Sequence, residues 1–391
     1  MERNNLVLSE DYAASLLDFY RQCVRTRSYS DEEGDLARLA VEQMKALGFN
    51  EAYIDPCGNA VGKVGSGPKV IHFDSHMDTV QVNDAAEWDS DPFKADMLDG
   101  YVYGRGSVDM KGGLSASIFA AALAKKLGLL EGKTVYVTGS VCEEYCDGVC
   151  LEHFYRDSNV KPDFCVICEP SDNIIILGHT GKVQARIKTH GVSAHGSAPE
   201  KGVNAVYEMA EIISRVDALN KRLSQTPGGG TIVLSKISCV TASLNAVPNE
   251  CEIYLDRRLR LGETTAQVKK ELDELIAGKP RATWEPGTLH HTSWNGAELV
   301  YDPCHEPWKI EDDAPLTLAC NEVYEAVFGA APDKYDFWDF GTNGVVPVGM
   351  GVPTIGFGPG EYKLAHMRNE RCKPEKVVDA CRFYAKLIER L

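Results

Sequence analysis

Four short apolar runs recur along the chain, each ending where acids, histidines or glycines gather. They are PKVIHFDSHMDTV (68–80), KTVYVTGSVCEE (133–144), PDFCVICEPSD (162–172) and VPTIGFGPG (352–360). Continuous hydrophobicity rich in β-formers predicts strands buried on both faces. Between them lie stretches with helical apolar spacing, including 10–48, closed by Gly48, and KGGLSASIFAAALAKKLG (111–128). Strands alternating with helices predict an α/β domain with a mostly parallel sheet. Ligands of such sheets collect beyond the carboxyl ends of the strands. The polar ends of the four runs are therefore expected to meet in one site.

From about 181 to 298 the pattern changes. GKVQARIKTHG alternates as a half-buried strand, NAVYEMAEIISRVDALNKRL is an amphipathic helix, and PGGG (227–230) is a turn. TIVLSKISCV and ECEIYLDRRLRL read as adjacent strands, TTAQVKKELDELIAG as a helix and RATWEPGTL as a last strand. The order βαββαβ predicts a small ferredoxin-like α+β domain. The helix PLTLACNEVYEAVFG and the strand ending GFGPG follow it, so the domain reads as inserted. The expected division is a discontinuous domain over 1–180 and 299–391, interrupted by 181–298. PCHEPWKIEDD (303–313) reads as the return linker.

A chain of 391 residues is long enough for two domains. Its formal net charge of -16 disfavours nucleic acid and anionic membranes as partners. No apolar run reaches the length of a membrane span. The start, MERNNLVLSEDYAASLLDFY, reads as a first helix and not as an export signal. Thirteen cysteines, an odd number without an export signal, point to reduced thiols and a cytoplasmic location. Cys165 and Cys168 have CxxC spacing but sit in an apolar run, which predicts a buried strand.

The chemistry gathers in five short stretches. HMD supplies His76 and Asp78, and GRGSVDMKGG supplies Asp109 after a glycine-rich turn. VCEEYCDGVC supplies Glu143 and Glu144, CEPS supplies Glu169, and AHMRNE supplies His366. Two histidines with several carboxylates form the donor inventory of a zinc or two-metal hydrolytic site. Asp78, two residues beyond His76, is placed to orient that imidazole. In VCEEYCDGVC the thiols of Cys142, Cys146 and Cys150 compete with the two carboxylates as metal donors. Adjacent glutamates point in different directions, so one can bind metal while the other shuttles protons.

The motifs HMDTV, EWDSDPF, GRGSVDMKGG, CEEYCDG, CEPS, GVSAHGSAPEKGVNA, DRR and AHMRNE occur in this order over nearly the whole chain. In this the chain resembles the zinc-dependent family of acetylornithine deacetylase, succinyl-diaminopimelate desuccinylase, aminoacylase and glutamate carboxypeptidase (metallopeptidase family M20). CEEYCDG, HGSAPEKG and FGTNG most resemble its selenium-metabolism-linked hydrolase subgroup. The resemblance implies a zinc-exopeptidase-like catalytic domain and an inserted lid and dimerisation domain. It gives His76 and Glu169 to one metal, Glu144 and His366 to the other, and Asp109 to both. Glu143 becomes the general acid/base and Asp78 the residue orienting His76.

By the same resemblance His195 reaches a neighbouring active site and polarises the scissile carbonyl. Arg258 takes the substrate carboxylate, and Asn245 and Asn343 are further substrate candidates. Two zinc ions per chain are expected, and cobalt and manganese suit the same donors. The expected function is hydrolysis of a small N-acyl amino acid by a homodimer. A dipeptidase or carboxypeptidase and a carbamoyl-amino acid hydrolase are alternatives on the same scaffold. A non-catalytic binding protein is disfavoured by the complete ligand set. The carboxylates, not the thiols, then make the site. Cys142 is expected to end a strand, and Cys146 and Cys150 to pack one face of the following helix.

Overall fold

The structure, a computed structural model, describes residues 6–391. Met1–Asn5, the head of the stretch read as a first helix, lie outside them. That helix runs Glu10–Arg25, with the Ser9 hydroxyl accepting from the Tyr12 amide at its start.

All four apolar runs become strands of one nine-stranded sheet. Lys133–Ser140, Lys69–His76, Phe164–Ile167 and Thr354–Gly356 lie side by side and parallel. In this register His76 is opposite Ser140, and Asp74 is opposite Ile167. Their carboxyl ends therefore open onto one edge. Antiparallel strands Ala60–Gly65 and Glu51–Ile54 extend one side of the sheet. Ile176–His179, antiparallel to Thr354–Gly356, extends the other.

The helix Lys111–Lys126 is buried along almost its whole length, between the sheet and the helices Glu10–Arg25 and Pro374–Arg390. Its alanines, serines and glycines make that burial feasible. A Cβ on Gly113 would stand 2.2 Å from the Cys168 carbonyl oxygen, so only glycine lets the helix start approach the strand that carries Glu169.

The second sheet is antiparallel, in the order Thr231–Val240, Glu250–Leu259, Gly181–His190, Ala282–Pro286. With the helices Ala205–Gln225 and Thr265–Ile276 it gives the expected βαββαβ succession and encloses its own apolar core. Beyond Pro286 the chain makes a hairpin, Leu289–Thr292 with Glu298–Tyr301. Its Leu299 and Tyr301 belong to the large core of the first sheet. Trp294 lies over Gly34 and Gly58 and donates to the Gly58 carbonyl at 3.0 Å. An expected border at 298 thus falls inside a hairpin whose side chains pack on the core of the first sheet.

The stretch read as a linker carries a short strand for each sheet. Cys304–His305 pairs with Gly181–His190, and Trp308–Lys309 pairs with Ile176–His179. All thirteen cysteines are free thiols. Cys142 lies beyond the strand end at Ser140 and Cys146 precedes the helix Val149–Ser158, so of the three thiols only Cys150 is helical. All three are buried. Among the described residues no helix is long and apolar enough to cross a membrane.

Candidate active site

The strand ends deliver His76, Glu143, Glu144 and Glu169 to a cavity of ≈ 370 Å³, which Asp109 and His366 also line. The His76 Nε2 lies 2.8 Å from Asp109 Oδ1 and 3.4 Å from Glu169 Oε1. The His366 Nε2 lies 3.2 Å from Asp109 Oδ2 and 3.0 Å from Glu144 Oε1. Asp109 therefore offers one oxygen to each imidazole. Donor atoms of His76, Asp109 and Glu144 all fall within 4.8 Å of one another, as do those of His76, Glu143 and Glu169. Two imidazoles and four carboxylates converging in this way fit divalent cations of the zinc, cobalt or manganese type.

The supports of these groups come from elsewhere in the chain. The His76 Nδ1 is 2.9 Å from the Asp78 carbonyl oxygen and 3.4 Å from its carboxylate. Donation through Nδ1 leaves the Nε2 lone pair for a ligand. The Asp78 carboxylate itself accepts the Glu143 and Glu144 amides at 3.1 and 3.0 Å and the Ser30 hydroxyl at 2.8 Å. Glu370, fully buried, accepts the Val108 and Asp109 amides at 2.8 and 3.0 Å and pairs with Arg105 at 2.6 Å.

Removing the Glu370 carboxylate leaves Arg105, itself 4% exposed, without its counter-ion. Glu370→Ala is expected to destabilise the fold by about 3–5 kcal/mol, measured from denaturant midpoints.

Burial and crowding set the proton affinities. Burial pushes Glu143 well above the usual carboxylate range, and Glu169, Asp147 and Glu144 add to the rise against the pull of His76. Glu169 and Glu144 are also raised, first by burial. Burial would raise Asp109 too, but hydrogen bonds from His366 and His76 outweigh it and hold that carboxyl far below its usual range. Hydrogen bonds to Asp109 and Glu144 push His366 up to about 10.

The remaining sequence candidates divide. Arg258 lines the cavity, its Nε and one Nη held by Asp256 at 2.8 and 3.0 Å. Asn343 does not line it. Its side chain is buried, donating to Asp74 and Ser140 and accepting the Gly148 amide at 2.6 Å. The expectation that Asn343 meets substrate is thus replaced by a brace between the central strand and the loop after Glu144. His195 and Asn245 are exposed neighbours on the second sheet's loops, where Gly196 donates to the Asn245 carbonyl, and neither lines the cavity.

Sequence reasoning passed over the Asp147–Lys182 ion pair (2.6 Å) in the cavity wall, although Asp147 stands within the CEEYCDG motif. It also passed over Glu370, the last residue of AHMRNE.

A family model described as Peptidase family M20/M25/M40 matches residues 72–390. The chain belongs to that family. It is accordingly a hydrolase of amide bonds, in a family whose members include two-metal enzymes. The uncharacterized protein YgeY of Escherichia coli (strain K12) is 38% identical over 96% of this chain and 94% of its own length. The acetylornithine deacetylase of Proteus mirabilis (strain HI4320) is 28% identical over 91% of each chain. In fold, the M20 family metallo-carboxypeptidase Sso-CP2 from Sulfolobus solfataricus matches 97% of this chain and 99% of its own at TM-score 0.73, with 19% identity.

Proposed function

We propose that this protein is a two-metal amidohydrolase that cleaves the amide bond of a small N-acyl amino acid. The observation that carries the reading is Asp109, one oxygen toward His76 and the other toward His366, with Glu143 in the same cavity. His76 and Glu169 would hold one cation, Glu144 and His366 the other, with Asp109 between them. Zinc suits this donor set best. When bound, such cations supply Lewis acidity that acidifies a water and polarises the scissile carbonyl.

The chain's own residues do the rest. Asp78 fixes the ring of His76. Glu143 takes the proton of the attacking water and delivers it to the departing nitrogen, so one carboxyl serves as base and then acid. Its elevated proton affinity suits the second half of that task. Arg258, whose Nε and one Nη are held by Asp256, would offer its remaining Nη edge to the substrate carboxylate. The cavity volume suits a substrate of few atoms, and a relative named acetylornithine deacetylase supports an N-acyl amino acid.

The domain built on the second sheet would be the lid and dimerisation domain. Thr231–Val240 is the edge strand of its sheet, with Val233, Ile237 and Val240 more than half exposed. Leu244, in the loop beyond that strand, is fully exposed. An apolar edge strand favours pairing with a second copy, and His195 would complete the partner's cavity from this side. His195→Ala is expected to lower kcat about 100- to 1000-fold, as loss of an oxyanion donor does. Mixing His195→Ala with Glu143→Gln protein should regain activity, because the mixed dimer keeps one intact site. No regain after subunit exchange would place His195 outside the partner's site.

The deciding experiment is amine release from N-acyl amino acids, carbamoyl amino acids and dipeptides, with zinc supplied. Turnover of the N-acyl compounds is the expected result. Turnover confined to dipeptides or to carbamoyl amino acids would reassign the substrate, and no turnover with both metals bound would overturn the reading.

A further inference from the structure

The two glutamates at the cavity stand on a stretch of chain that no helix or strand supports. The strand ends at Ser140 and the next helix begins at Val149. Four successive amides between them are held by side chains instead. Val141 donates to Asn59 Oδ1 at 3.0 Å and Cys142 to Glu33 Oε1 at 2.9 Å. Glu143 and Glu144 donate to the two oxygens of Asp78 at 3.1 and 3.0 Å. Cys142 has φ +58°, a left-handed conformation that non-glycine residues keep only when their surroundings fix it. That bend turns Glu143 toward His76 and Glu169, while Glu144 is held by its own contact with His366 and by Asp78 at its amide.

Both oxygens of Asp78 are already engaged, by the Glu143 and Glu144 amides and the Ser30 hydroxyl. Glu33 takes the Cys142 amide. Its side chain makes no capping bond to the helix Gly34–Ala46 that it precedes, and it is fully buried. The segment around it is stitched to the end of the central strand. The Ser28 carbonyl accepts the Thr79 amide at 2.9 Å, the Ser28 hydroxyl donates to the Met77 carbonyl at 2.7 Å, and the Ser30 hydroxyl donates to Asp78. Glu33 is thus held against the same strand end that carries His76. Its side chain accepts the Cys142 amide, and its reach to the reacting atoms runs through the backbone of Cys142.

We propose that Glu33 is a positioning residue for the hydrolysis. By gripping the Cys142 amide beside the two held by Asp78, it sets the left-handed bend that aims Glu143 at the reaction centre. The proposal rests on the acid/base role given to Glu143 above, so its test carries one readout tied to turnover and one independent of it.

Glu33→Ala is expected to lower kcat by about 100-fold, as a small misplacement of a reacting group does, with KM and bound zinc unchanged. Glu33→Gln keeps an oxygen for the Cys142 amide and should keep most of kcat. Wild-type kcat in Glu33→Ala would overturn the proposal, and so would equal losses in the alanine and glutamine variants. Loss of zinc from Glu33→Ala would overturn it too, because the residue would then hold the metal site together instead of aiming Glu143.

Should the alanine variant fail to fold, Glu33→Asp decides. It keeps the carboxyl group but withdraws it by one methylene, so the same fall in kcat is expected, and unchanged kcat overturns the proposal. Hydrogen exchange supplies the independent readout. In the zinc-loaded alanine or aspartate variant the amides of Cys142, Glu143 and Glu144 should exchange faster than in wild type, whether or not a substrate has been found. Unchanged protection there would overturn the proposal even if the assignment of Glu143 stands. A wild-type protein that hydrolyses nothing would sink the functional reading and leave the exchange result to decide on Glu33.

Discussion

Glu143→Gln is expected to cut turnover by about 100- to 10,000-fold while both metals stay bound. The substitution keeps the size of the side chain and one of its oxygens, and removes its ability to take up and release a proton. Glu143 is 7% exposed, and its burial beside Glu169, Asp147 and Glu144 already favours the protonated form. A carboxyl in that setting is a poor surface charge and a good proton carrier, which is what protonating a departing amine requires.

The same cluster contains a competing assignment. Glu143 has a carboxylate oxygen within 4.8 Å of donors on His76 and Glu169, so it could serve as a ligand. Elemental analysis beside the kinetics separates the two roles. Turnover lost with full metal content fits the proton shuttle. Turnover lost together with one metal would make Glu143 a ligand, and retained turnover would remove it from both roles.

Much of this site was legible in the sequence for a physical reason. Strands buried on both faces must be apolar, so the run before His76 and the run before Glu143 stand out, and the polar residues that end them mark the edge of the sheet. The βαββαβ segment was legible because its strands and helices each bury one face, as the alternating burial of Glu250–Leu259 shows. The supports were not legible. Glu33 and Glu370 act by accepting backbone amides from segments remote in sequence, and acceptance of an amide leaves no periodic trace.

Cys304–His305 and Trp308–Lys309 are two-residue strands, too short for any alternation to appear. Asn343 illustrates the opposite failure. A polar residue in a glycine-rich motif looked fit to meet substrate, yet three buried polar partners, Asp74, Ser140 and the Gly148 amide, claim it. The sequence displayed the residue type, and only the register of distant strands displayed those partners.

Chelation should bring turnover below detection, with recovery on adding zinc, and it should also expose a pH dependence of stability. Without cations, Glu143, Glu144 and Glu169 share one buried site, and burial is the chief reason that all three carboxyls stand above their ordinary values. A carboxyl raised in the fold keeps a proton that the unfolded chain gives up above pH of about 4.3. Its contribution to stability is present below that pH and is lost as the pH climbs.

The histidines act in the same direction. Burial works to lower His76, but Glu169 and Asp109 raise it well above its usual value, while His366 stands at about 10. Stability drawn from their pairing is complete below about pH 6.5 and is lost as the pH rises toward the folded-state values. Asp109 has the opposite sign, since it is held below its ordinary value, but its contribution changes only below about pH 4. Between pH 5.5 and 8 Glu143, Glu169 and the two histidines therefore weaken the metal-free fold as the pH increases.

The chelated protein should melt at a lower temperature at pH 8 than at pH 5.5. The zinc-loaded protein should show the opposite trend, because bound cations keep the carboxylates ionised and the imidazoles neutral, while the unfolded chain takes up protons on both histidines below about pH 6.5. Parallel melting curves for the two forms, with or without a slope, would mean that His76, Asp109, Glu144, Glu169 and His366 do not hold the metals.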